Sequence, residues 1–315
     1  MKKISPRTIA IICAFLAAAI WGGSFVTQRI AGEHMGAFTY NAMRFFLGAL
    51  SLLPVIKLFE KEKPNREKIK KTWLVGLMAG GCVFLAANLQ QFGIVLSDSP
   101  SSASEAGFIT GMYIIFVPLL GLFLGRRARP LVWVSAVMAF AGLALISIGP
   151  GGLSNIQLSD ILLLICAVFW AIHILIVGHF IDDISPIRFV SIQFLFCAIF
   201  SLAAALIFED ITMEGLWGGL PVILFGGIVA SGIAYTFQTL SQRGLEASLA
   251  AIIFSLEALF AALSEAIFLG ETMTLQKYIG GAIIFAGILL SQHKKAQSPA
   301  TENTKMQFGK KYRKR

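Results

Sequence analysis

Hydrophobic residues in this chain come in long unbroken runs, and the polar residues between them gather in short bursts such as KEKPNREKIKK, SDSPSS, GRRARP, GPGGLSN and DDISP. A helix crossing a hydrocarbon core about 30 Å thick, at about 1.5 Å per residue, needs roughly 20 apolar residues. Ten runs approach that length: Thr8 to Thr27, Ala37 to Phe59, Trp73 to Leu96, Ser104 to Leu124, Leu131 to Ile148, Leu158 to Phe180, Ile187 to Phe208, Leu216 to Leu240, Ala247 to Leu269 and Leu275 to Ser291. The strands of a membrane barrel would instead alternate over segments of about ten residues. The pattern therefore predicts an all-α integral membrane protein with ten transmembrane helices.

Composition agrees, since 57% hydrophobic and 14% charged residues with a mean hydropathy of +0.78 lie outside the range of soluble domains. The opening MKKISPRTIAIICAFLAAA has the basic start and apolar middle of a secretory signal, but nine further apolar runs behind it favour a retained first helix. Basic loops stay on the cytoplasmic side. With the N-terminus inside, 23 of the 26 lysines and arginines fall on cytoplasmic segments, leaving Arg29 and Lys277 outside and Arg44 within the second span. Ten spans in the cell (inner) membrane with both termini cytoplasmic are thus expected. That arrangement accounts for the net charge of +9 without nucleic acid. Residues 293–315 form a basic cytoplasmic tail, read as disordered, whose charges can also meet anionic lipid headgroups.

Internal repetition comes next. An offset of 149 residues lays AAAIWGG (17–23) on CAVFWAI (166–172), pairing Trp21 with Trp170, and also pairs Phe45 with Phe194 and Arg44 with Gln193. An offset of 145 lays GLFLGRR on AIFLGET, pairing Arg126 with Glu271. Five spans per half is an odd number, so the two copies insert in opposite orientations. The expected domains are 1–150 and 151–292, two inverted five-helix repeats, an arrangement that places a substrate site near the bilayer midplane.

These blocks resemble the drug/metabolite transporter superfamily, specifically its EamA-type members, over about residues 8 to 292. The resemblance rests on WGGSFVTQR, NAMRFFLGALSLLPV, AGFITGMYIIFVPLLGLFLG and SLEALFAALSEAIFLGETMTLQKYIGGAIIFAGILL. Two departures stand out: Arg126 where the family has a glutamate after Leu-Gly, and Ala258 where Leu-Glu-Pro is frequent. The resemblance implies a first helix lining a central cavity, with Trp21 and Trp170 as candidate walls; packing or an interfacial aromatic belt is the competing role for each. It also implies export or exchange of metabolites such as amino acids.

Polar groups inside apolar runs are the sharper signals, because a charge or unpaired amide in hydrocarbon costs several kcal/mol unless it meets a partner or water. Arg44 is a candidate for an acidic substrate group or an internal carboxylate, or else it snorkels to the outer interface. Asn88 and Gln91, with Gln90 between them in the third span, and Tyr235 and Gln238 in the eighth suit hydrogen bonding to a polar solute; contacts between helices are the competing role. Tyr113 and Thr110 in the fourth span can complete the wall. Glu257 lies near mid-membrane and Glu265 about 80° from it around the ninth helix. Glu257 suits proton coupling, a substrate amine, or a structural hydrogen bond. The substrate-binding candidates are Trp21, Arg44, Asn88, Gln91, Tyr113, Trp170, Tyr235, Gln238 and Glu257.

No G-x-x-x-x-G-K-[ST] loop appears, so pumping must draw on a gradient of protons or counter-substrate. No nucleophile elbow or zinc-binding pair appears, no cofactor or metal is expected, and the protein reads as a non-enzyme. Cys13, Cys82, Cys166 and Cys197 lie inside apolar spans as small packing residues. Ser135 with Ala139 and Ala282 with Ala286 suit helix or homodimer contacts. The function expected is secondary transport of a small polar or amphipathic metabolite by alternating access, with a binding scaffold or sensor that does not translocate as the alternative.

Overall fold

The computed structural model describes residues 5–60, 65–99, 101–125, 128–147, 157–270 and 274–292. The described chain is helical: α1 (Pro6–Gly32), α2 (Ala37–Phe59), α3 (Arg66–Val95), α4 (Ser102–Phe123), α5 (Pro130–Ser147), α6 (Leu158–Phe180), α7 (Pro186–Phe208), α8 (Leu220–Ser241), α9 (Ala247–Phe268) and α10 (Leu275–Gln292). Eight of these are long and apolar enough to cross a membrane, and α5 and α10 are shorter apolar helices. The protein is a multi-pass membrane protein. Arg126, Glu271 and the basic tail from residue 293 lie outside the described residues.

Local chemistry sets several boundaries. The Ser5 side chain accepts from the Thr8 amide and Pro6 opens α1, while Asn65 caps α3 through Lys68 N, so α3 begins about two turns before its apolar run. The eighth apolar run divides: residues Met213–Gly218 form a short helix of their own, and α8 restarts beyond Gly219 with Pro221 in its first turn. Within α8, residues Phe225–Ile233 widen into a π-helix, a form frequent at functional sites. A break at Met112 divides α4, and one at Ser255 and Leu256 divides α9. Each of these two helices is followed by a glycine with positive φ, Gly125 at 72° and Gly270 at 73°, a conformation side chains disfavour.

The polarity gradient is opposite to that of a soluble protein. Phe123, Leu206, Ile267 and Leu275 are largely exposed on the outside, whereas Gln28, Asn41, Gln91, His173, Gln193 and Glu265 are buried. Lipid is the solvent that makes this arrangement stable. Helix α2 packs along α7 and α5 along α10; α1 packs on α8 and α9, and α6 on α3 and α4. Ser135 and Ala139 are buried where α5 meets Gly287 of α10, so this small-residue pair serves a contact inside the chain. Ala282 and Ala286 face outward.

The WGG sequence in α1 has a steric explanation. A Cβ on Gly22 would lie 2.2 Å from Phe260 Cβ and 2.7 Å from the Glu257 carbonyl oxygen. Only a residue without a side chain lets α1 approach α9 this closely.

Candidate functional site

A cavity of about 40 Å³ lies among α1, α2, α3, α4, α6, α8 and α9. A buried water needs about 10–15 Å³, so the conformation described leaves room for a few waters and is closed to a metabolite.

Its walls are aromatic. Trp21 meets Tyr235 edge to face at 4.9 Å and Phe254 at 5.6 Å between ring centroids. Tyr235 also packs on Trp170 at 6.0 Å, Phe194 at 5.0 Å and His173 at 6.0 Å. The sequence-paired rings Phe45 and Phe194 touch each other at 5.1 Å. The two paired tryptophans find different partners. Trp21 donates its indole N–H to the Ala230 carbonyl in the π-helix at 3.1 Å, and Trp170 donates to Gln90 Oε1 at 2.9 Å.

Charges line the same space. Arg44 is buried, 5% exposed, so it does not snorkel to the interface. Its Nε donates to Asn41 Oδ1 at 2.7 Å, and its guanidinium lies 4.5 Å from the centre of the Phe45 ring and 5.1 Å from that of Tyr40. Glu257 lines the cavity from α9. Among the described residues the ion pairs are Lys71 with Asp183 and Arg188 with Glu60, so Arg44 and Glu257 share one chamber without pairing. Glu257 Oε1, the Tyr113 hydroxyl and Gln238 Oε1 are buried and none makes a hydrogen bond of full geometry, although the Tyr113 hydroxyl and the Glu257 carboxyl are close neighbours. All three belong to the cavity lining. Groups left this way in an apolar interior are stabilised by a solute or water that completes their bonds.

The sequence-selected residues divide between the cavity and the scaffold. Trp21, Arg44, Tyr113, Trp170, Tyr235, Gln238 and Glu257 line the cavity, together with Thr110. Asn88 and Gln91 are absent from that lining. Asn88 accepts from Asn41 Nδ2 at 2.9 Å and donates to Ser201 Oγ at 3.1 Å, so it holds the residue that holds Arg44. Gln91 donates to the Gln28 carbonyl at 2.7 Å. Their neighbour Gln90 enters the cavity instead, accepting from Trp170 and donating to Gln28 Oε1 at 3.0 Å. Adjacent helical residues point about 100° apart, and choosing among these amides requires the rotation of α3. Ser24, Gln28 and Phe254 also line the cavity. Gln28 carried a readable signal, an amide immediately after the first apolar run, which ends at Thr27.

Glu265 has a different task from Glu257. Its carboxylate accepts from Ala103 N at 2.9 Å and from the Ser104 hydroxyl, clasping the first turn of α4 to α9. His173, buried, pairs with Gln193 Oε1 at 2.9 Å.

Comparison with known proteins gives consistent results. The EamA-like transporter family profile matches the chain twice, over residues 8–148 and 157–292. An uncharacterized transporter of Archaeoglobus fulgidus is 29% identical over 90% of this chain and 86% of its own length. The threonine/homoserine exporter RhtA of Escherichia coli is 29% identical over 91% of this chain and 92% of its own. A solved crystal structure, 18% identical, superposes with a TM-score of 0.72 over 90% of this chain and 96% of that one, a likeness of fold.

Proposed function

The chain belongs to the EamA-like transporter family, and from that premise we propose that it moves a small zwitterionic metabolite across the cell membrane by alternating access. Export or exchange of an amino acid of the threonine or homoserine type is the activity proposed, after the name of its Escherichia coli relative. Arg44 receives the substrate carboxylate and Glu257, with Tyr113 and Gln238, receives the ammonium end, between the rings of Trp21, Trp170 and Tyr235. The observation that carries this reading is a buried cation and a buried carboxylate lining one cavity without pairing. A zwitterion supplies both counter-charges at once, offsetting the cost of holding them in a low-dielectric interior.

The halves 1–150 and 151–292 are proposed as inverted repeats of five spans each. Support comes from the two separate family matches, the pairing of α2 with α7 and α5 with α10, and the left-handed glycines 145 positions apart. The basic loops support cytoplasmic termini and an inner-membrane location. With no nucleotide-binding loop, the driving force is a gradient of protons or counter-substrate.

Counterflow tests the reading. Proteoliposomes preloaded with unlabelled threonine or homoserine are expected to accumulate external labelled threonine, and Glu257→Gln and Arg44→Gln proteins to lose that uptake. The free amino acid is also expected to raise the melting temperature of the purified protein. Stabilisation without counterflow would make the protein a binding scaffold, and the absence of both would overturn the amino-acid reading.

A further inference from the structure

Helices α2 and α7 are joined by carboxylates at both ends. Glu209, the residue that ends α7, accepts from Phe38 N at 2.9 Å and Thr39 N at 2.8 Å, and from Thr39 Oγ1 at 2.7 Å. Glu60, the residue that ends α2, accepts from Ile187 N at 3.0 Å and pairs with Arg188 Nε at 2.7 Å. Each helix thus ends in an anion that caps the first turn of the other, where free amide hydrogens and the helix dipole favour negative charge. The participants are related by one offset: Glu60 and Glu209, Phe38 and Ile187, Thr39 and Arg188 each stand 149 positions apart. Between the clasps, Phe45 packs on Phe194 at 5.1 Å and Ser191 Oγ donates to the Ala49 carbonyl at 3.0 Å.

The pair α4 and α9 contrasts with this. Glu265 clasps one end, and the position 145 residues earlier is Leu120, which has no carboxylate to offer.

We propose that Glu60 and Glu209 make α2 and α7 a rigid bar whose two ends stay joined through the transport cycle, so that opening to either face occurs by movement of other helices against it. Two closed clasps in one structure fit a fixed member; gates that alternate would open in turn. Only the transport arm of the test rests on the function proposed above.

The first arm measures distances in the full-length protein by pulsed electron resonance. Spin labels at the exposed positions Phe46 and Leu206 report the Glu209 end of the pair, and labels at exposed Leu58 and half-buried Leu195, the position 149 residues after Phe46, report the Glu60 end. Each pair is expected to give one narrow distance, with and without saturating threonine. Glu209→Ala is expected to broaden the Phe46–Leu206 distance alone, and Glu60→Ala the Leu58–Leu195 distance alone. A bimodal distance in the unmodified clasps, or variants that leave both distances narrow, would overturn the proposal.

The second arm locks the bar covalently. Phe38 and Phe208, with ring centroids 6.2 Å apart, are replaced by cysteine in a chain whose four native cysteines are removed, and are joined by a short cleavable thiol linker. Unchanged threonine counterflow after linking is the expected result. Counterflow lost on linking and restored on cleavage would show that this end must part. If the unlinked protein shows no threonine counterflow, the substrate reading fails, and the distance arm decides the bar by itself.

Discussion

Trp170 donates its indole N–H to Gln90 Oε1, while Gln90 Nε2 donates to Gln28 Oε1, so one amide on α3 ties α6 to α1 across the cavity. The paired tryptophan of the first half, Trp21, is held by a main-chain carbonyl of α8. The two tryptophans therefore differ in how easily they are released. A side-chain partner can be removed by substitution, and a carbonyl cannot.

Gln90→Leu is expected to free the Trp170 ring and lower substrate affinity up to about tenfold, because a neutral hydrogen bond contributes about 0.5–1.5 kcal/mol. Titration by tryptophan fluorescence checks it, with the protein still folded by circular dichroism. Affinity unchanged with Gln90 gone would show that the crossbar does not position the ring.

Glu257→Gln separates binding from folding. A carboxyl buried in an apolar interior with one oxygen, Oε1, left unbonded costs free energy, so the substitution is expected to hold or raise the melting temperature of the substrate-free protein while removing the stabilisation given by threonine. Melting curves with and without threonine read both effects. A large drop in the substrate-free protein would assign Glu257 a structural task instead.

The two glycines after Trp21 are expected to respond differently. At Gly22 an added Cβ meets Phe260 and the Glu257 carbonyl at 2.2 and 2.7 Å, and at Gly23 the nearest atom is Ser264 Oγ at 3.6 Å. Overpacking typically costs about 1–3 kcal/mol, so Gly22→Ala should reduce folded yield and melting temperature while Gly23→Ala leaves both unchanged. Fluorescence-detected size exclusion of the two variants decides it.

Removing the clasp on α4 should act on stability. Glu265→Ala leaves Ala103 N and the Ser104 hydroxyl without their acceptor, and losing a capping acceptor costs about 0.5–2 kcal/mol. Glu265→Gln keeps an acceptor oxygen and is expected to lose less. Equal melting temperatures for the two variants would show that the cap contributes little.

The membrane class, the apolar spans and the aromatic and charged candidates were legible because each depends on local composition. The eighth run showed where local reading stops. Its hydropathy is continuous from Leu216, yet Gly219 and Pro221 divide it, since the backbone responds to a proline ring that a hydropathy average does not register. Glu257 and Glu265 read as two carboxylates on one broad face, and packing sent the first to the cavity and the second to the N-terminus of α4.

What the sequence by itself determined is which segments prefer lipid and which polar groups must find shelter there, because transfer from water to hydrocarbon is a property of each residue. Which shelter each group found was decided by tertiary structure. Asn88, Gln90 and Gln91 occupy one turn and a similar depth, yet Gln90 meets the cavity while the other two bind neighbouring helices. A rotation of α3 by one residue's angle, about 100°, would bring Gln91 to the cavity in place of Gln90, and that rotation is set by how α3 packs on α6 and α7.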